Sequence, residues 1–160
     1  MEDTTFRNSI GIERDLESVV AEILAFMEEV PDATYSVTIG TDSELCKKTS
    51  ADFVTAIVIH RVGNGGRYFW RRVELKDFYT IRDRILREVL ISLDAAKEVV
   101  SILEKLETPG FSLEIHVDVG ENGETSDMIQ ELVGMVRAHD FEAKTKPHSY
   151  AASSVADRLV

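Results

Sequence analysis

Two aspartates stand where extended apolar segments run out: Asp42 in Gly40-Thr41-Asp42-Ser43, and Asp118 in His116-Val117-Asp118-Val119-Gly120. Side chains repeat every two residues along a strand, so Asp42 shares a face with Gly40 and Thr38, and Asp118 with His116. Two carboxylates brought together repel, and each raises the other's proton affinity unless a cation sits between them. Hard oxygen ligands with room for water suit Mg²⁺ or Mn²⁺. The competing reading is that each aspartate caps the loop after its strand.

Glu88 is the third candidate. It falls on or beside the apolar stripe Ile81, Ile85, Val89, Leu93, Ala96, Val100 and Leu103. A charge on the buried side of a helix costs free energy unless it is paired or metal-bound, whereas a glutamate at the stripe's edge reaches solvent. Asp157, after Ser153 and Ser154, reads by itself as a solvated face residue. His116 is placed either as a partner of Asp118 or as a hydrogen-bonded core histidine. His148, in the loop before the last helix, either carries a proton or faces water. The run Arg67-Tyr68-Phe69-Trp70-Arg71-Arg72 interleaves basic and aromatic residues. Arg67, Trp70, Arg71 and Arg72, with Lys146, therefore suit contact with nucleic acid. On an edge strand, Arg71 and Arg72 would equally discourage edge-to-edge pairing.

The elements that must position these residues follow from periodicity. Ile12 to Val30 carries a helical stripe through Leu16, Val19, Val20, Ile23, Leu24 and Met27, stopped by Pro31. Thr34 to Thr41 alternates as a strand, continued by Asp42. Phe53 to Val62 and Arg67 to Leu75 are two further strands joined by a Gly63-Asn64-Gly65-Gly66 turn. Thr80 followed by Asp83 marks the start of a long helix that ends near Pro109-Gly110. Phe111 to Val119 is the next strand and Gly120 to Glu124 a loop. A helix follows through Met128, Ile129, Leu132, Val133 and Val136, and then a short strand from Phe141 to Thr145. Ser149 caps a final helix through Val160. Three strands in a meander, then strands reached across helices, predict a mixed α/β fold with a partly parallel sheet. That connectivity resembles the ribonuclease H fold, which implies a five-stranded mixed sheet of order 3-2-1-4-5. Flanking helices and an extra N-terminal helix complete it. In that order the first and fourth strands are parallel neighbours, and their carboxyl ends bring Asp42 and Asp118 to one edge.

Composition narrows the class. At 160 residues, 44% hydrophobic and 29% charged, the chain has enough apolar material for a core. Its lone cysteine, Cys46, forms no internal disulfide. Met1 to Asp15 carries no signal-peptide core, and no apolar run is long enough to span a bilayer, so a cytoplasmic location is expected. The net charge of -11 weighs against nucleic acid, although a local basic strip or a cation-filled acidic site would offset it.

The residues also carry a resemblance. Gly40-Thr41-Asp42-Ser43, His116 to Gly120, Gly134-Met135-Val136, Lys146-Pro147, Ser149-Tyr150-Ala151-Ala152-Ser153 and Ala156-Asp157 resemble the YkuK-like bacterial proteins, a family of the ribonuclease-H-like superfamily. The likeness runs from about Tyr35 to the C-terminus. It implies residues 34–160 as the ribonuclease-H-like domain, with residues 1–33 as a helical extension packed on it. It also implies an acidic divalent-metal site in which Asp42, Glu88, Asp118 and Asp157 serve in order as catalytic ligands. The implied activity is phosphodiester hydrolysis in RNA, DNA or an RNA–DNA hybrid. A module that keeps the fold but binds nucleic acid or protein without cleaving it is the alternative.

Overall fold

The computed structural model describes residues 5–107, 110–146, 148, 149 and 151–156, the last segment with side chains at 151, 155 and 156. In chain order the elements are β1 (Phe6–Asn8), β2 (Glu13–Arg14), α1 (Leu16–Glu29), β3 (Tyr35–Leu45), β4 (Ala51–Arg61) and β5 (Gly66–Leu75). Then come α2 (Ile81–Lys105), β6 (Leu113–His116), α3 (Ile129–Ala138), β7 (Glu142–Lys144) and a π-helical segment at Ala151–Ala156. Three of the boundaries have a clear local cause. Asp15 accepts a hydrogen bond from Ser18 N at 2.8 Å and starts α1. Thr80 does the same for Asp83 N at 3.1 Å and starts α2. Gly63 and Gly65, both at φ 81°, turn the β4–β5 hairpin in a conformation that other L residues rarely adopt.

All strands join one mixed sheet in the order β2-β1-β5-β4-β3-β6-β7. β3, β4 and β5 pair antiparallel, while β3–β6 and β6–β7 are parallel. Among the described residues the sheet therefore has seven strands rather than the five expected from sequence. The N-terminal helix also begins at Leu16 rather than Ile12, because the residues before it fold back as β1 and β2. β1 is recruited by Arg7 and Asn8 pairing with Trp70 and Phe69 of β5, while the Phe6 side chain is fully buried. The strand expected over Phe111 to Val119 is shorter, ending at His116.

α1 and α2 cover one face. Val37, Ile39, Ile57, Ile59 and Phe69 of the sheet meet Val19, Val20, Ile23, Val89, Leu93 and Ala96 of the helices. Full burial of each large apolar side chain contributes about 1.5–3 kcal/mol. Arg61 fixes the end of α1, since its guanidinium stacks 4.0 Å from the Phe26 ring centre and donates to Phe26 O at 2.9 Å. That bond satisfies a carbonyl in the last turn, where helices leave theirs without partners. On the opposite face Val54, Ala56 and Val58 pack under Ala151 and Ala156. Among the described residues no helix is long and apolar enough to cross a membrane.

Candidate metal centre

The site lies just past the carboxyl end of β6, beside the last third of β3. Gly40 pairs with His116, where β6 ends, while β3 runs on to Leu45 with Asp42 still paired to Val54, and Asp42 and Asp118 come to one cleft. At Asp118 the chain makes a tight turn, with Val119 N donating to Val117 O at 2.9 Å, which puts the carboxylate at the apex. α2 brings the third acid. Asp42, Glu88 and Asp118 all line a cleft of about 240 Å³, together with Ser43, Arg84, Thr125 and Lys146.

Glu88 is 4% exposed. Ser43 Oγ donates to its Oε1 at 2.6 Å, while its Oε2 is buried with no hydrogen-bond partner. Burial, first of all, pushes the Glu88 carboxyl well above the usual carboxylate range. The Ser43 hydrogen bond and Arg84 pull it back, and the charges of Asp42 and Asp118 push it further up. Arg84, one helical turn before Glu88, donates to Ser43 O at 3.1 Å and to Ser43 Oγ at 3.3 Å. Ser43 and Arg84 were not among the residues singled out from sequence. The sequence places Ser43 on the same face of its strand as Thr41, and Arg84 four residues before Glu88, but nothing in it sets the two elements at one height.

Asp118 is held by a cation of the chain itself, Lys146, whose Nζ lies 3.0 Å from Oδ1. The three cleft carboxylates therefore do not form the tightest acidic group. Among the described residues, the group with ligand atoms all within 4.8 Å of one another is Cys46, Asp52 and Glu74, at the tip of the β3–β4 hairpin. There Arg72 pairs with Asp52 at 3.6 Å. In the cleft, an orphaned buried oxygen and a set of hard carboxylate donors fit a divalent cation.

The other sequence candidates divide. His148 lines a wider groove of about 750 Å³ with Asp118, Asn122 and Lys146, next to the cleft. Arg82 binds Asp127 at 2.9 Å and Glu131 at 3.5 Å, tying the start of α2 to the segment after the loop that borders this groove. His116 is 2% exposed, and its Nδ1 accepts from Ala151 N at 3.0 Å, so it anchors the C-terminal segment to β6. The basic-aromatic run of β5 is engaged within the fold. Arg67 stacks on Phe26 at 4.8 Å and Arg71 on Phe6 at 4.7 Å, while Trp70 packs beside Val54 and Ala56. Asp157, Pro147 and Tyr150 lie outside the described residues.

A strand order with β3 beside a parallel β6, and acids late in β3 and just past β6, defines an α/β protein with a candidate acidic site. A family model described as ribonuclease H-like matches residues 18–160, and the chain belongs to that family, in its YkuK-like branch. It is 30% identical over 165 residues to the uncharacterized protein YkuK of Bacillus subtilis (strain 168), an alignment covering 96% of this chain and 95% of that relative.

Proposed function

We propose that the chain is a divalent-metal-dependent nuclease hydrolysing phosphodiester bonds in RNA, DNA or an RNA–DNA hybrid. The observation that carries this reading is Glu88 Oε2, a buried carboxylate oxygen without a partner in a cleft that Asp42 and Asp118 also line. Asp42, Glu88 and Asp118 would hold Mg²⁺ or Mn²⁺, and Asp157 takes the fourth position implied by the family resemblance. A bound divalent ion supplies Lewis-acid activation of water and neutralises charge on the phosphate. Ser43 holds Glu88 in one orientation and Arg84 holds Ser43, and the raised proton affinity of Glu88 sets protonation in competition with metal binding. His148, which lines the wider groove, would carry a proton to the departing oxygen. With a net charge of -11, affinity for nucleic acid depends on local cations rather than on the whole surface.

The test is incubation of the protein with labelled single-stranded, duplex and hybrid substrates, in Mn²⁺ and in chelator. At least one substrate is nicked in Mn²⁺ and none in chelator. Asp42→Asn, which keeps the shape and removes the charge, does not nick. Activity that survives in Asp42→Asn marks a contaminating nuclease. Binding by wild type without cleavage replaces this reading with a non-catalytic module.

A further inference from the structure

Lys146 is gripped by three consecutive residues of the Asp118 turn. Its ammonium lies 3.0 Å from Asp118 Oδ1, and its backbone N–H donates to Val119 O at 2.9 Å. Its side-chain stem lies against Gly120, where a Cβ would stand 3.0 Å from Lys146 Cβ. Glycine at 120 thus leaves the space that the lysine stem fills. Val117 N donating to Lys144 O at 2.8 Å continues the pairing of β6 with β7 up to this point. The position of Lys146 is therefore set by backbone pairing and close packing, although its side chain is half exposed. Lys146 also lines both cavities, the cleft with Asp42 and Glu88 and the wider groove with His148 and Asn122.

We infer that Lys146 takes the place of a second divalent cation, so that the cleft binds one metal ion. This rests on the metal-dependent reading above. Paired metals in phosphodiester-cleaving sites lie about 3.5–4 Å apart and share a carboxylate. At Asp118 the ammonium already occupies the far side of that carboxylate, and a divalent cation arriving there meets like charge at close range. Asp42 and Glu88 hold the single ion on the side of the cleft away from the ammonium. The ammonium presents the second positive charge to a phosphate oxygen in the wider groove. Lysine suits the task because its ammonium is a compact point charge on a flexible stem.

The experiment is a Mn²⁺ titration of the full chain by equilibrium dialysis, with electron paramagnetic resonance to separate isolated ions from exchange-coupled pairs. Wild type and Lys146→Arg bind one Mn²⁺ per chain with no coupled signal. Lys146→Met binds a second Mn²⁺ with a coupled signal, and its first site tightens on the order of tenfold because a neighbouring like charge is gone. Two coupled ions in wild type overturn the inference and leave the metal-dependent reading standing. A single ion in a folded Lys146→Met protein also overturns it. No binding by any of the three overturns the metal-dependent reading itself.

Discussion

Ser43 Oγ donates to Glu88 Oε1 at 2.6 Å, and two residues back along β3 the Thr41 hydroxyl meets that of Ser92 at 2.7 Å. Two residues of strand cover about 6.6 Å and four of helix about 6 Å. The two contacts therefore repeat in step, with α2 running opposite to β3. That match fixes the height of α2 against the strand, and so delivers the Glu88 carboxylate to the level of Asp42.

Glu88→Gln should stabilise the metal-free protein. With its proton affinity raised by burial, Glu88 binds a proton more readily in the folded than in the unfolded chain. Its contribution is complete below the unfolded value and is lost as pH rises through the folded one. Glutamine keeps the oxygen that accepts from Ser43 and carries no charge. In chelator at pH 8 the variant should gain roughly 1–3 kcal/mol, the usual scale for an unsatisfied buried group. The gain should shrink as pH falls toward the ordinary carboxylate range. Added Mn²⁺ should raise the melting temperature of wild type and leave the variant unchanged. A variant that melts lower than wild type in chelator at pH 8 would show that the Glu88 charge is already compensated.

Ser43→Ala should weaken Mn²⁺ binding by about 10–100-fold, the range for losing a group that orients a ligand. The Ser43 hydrogen bond holds the Glu88 proton affinity down, so without it metal binding should begin at a higher pH than in wild type. Calorimetric titrations at several pH values read both effects. Ser43→Thr, which restores a hydroxyl, should recover most of the loss.

Thr41→Val should leave the metal ligands in place and lower stability. Thr41 Oγ1 lies 2.7 Å from Ser92 Oγ and 3.1 Å from Thr55 Oγ1, and all three side chains are buried. Valine strands two hydroxyls, at a cost of about 1–3 kcal/mol in urea unfolding. Adding Ser92→Ala removes one stranded group and should recover part of that loss. A double variant less stable than Thr41→Val by the full effect of Ser92→Ala alone would mean that the hydroxyls do not interact.

The elements legible in the sequence were those with a period or a local cap. Tyr35, Val37 and Ile39 alternate, the stripe from Ile85 to Leu103 repeats helically, and Thr80 with Asp83 announces the start of α2. β1 and β2 span three and two residues, too short to carry a period, and exist because β5 offers an edge. The same edge explains the basic run of β5. The sequence offers Arg71 either to a ligand or to a sheet edge, and in the fold β1 sets Phe6 beneath it. Asp42, Glu88 and Asp118 could be read from strand ends and a helix stripe. Arg84 and Ser43 could not, because their contact depends on the height of α2 over β3. Nor could the grip on Lys146, which depends on the turn at Asp118.

His116 should make the protein lose stability in mild acid. Its Nδ1 accepts from Ala151 N, so the folded ring is neutral and carries its proton on Nε2, toward Glu114 Oε2 at 3.6 Å. Burial, aided by the charge of Lys144, lowers its pKa from 6.5 to about 4. Between those values the unfolded chain binds a proton that the folded chain refuses, so stability rises with pH. The contribution is complete above 6.5 and fades as pH falls to about 4, a change on the order of 3 kcal/mol. His116→Asn sets an amide oxygen near the place of Nδ1 and removes the titration. Urea unfolding of both proteins in chelator, from pH 7.5 down to pH 4, should give curves that converge on acidification as wild type loses its advantage. Glu88 contributes with the opposite sign, but it is present in both proteins and drops out of the difference. Parallel curves would mean that His116 is protonated without cost in the folded state, and that the Ala151 contact does not hold the ring neutral.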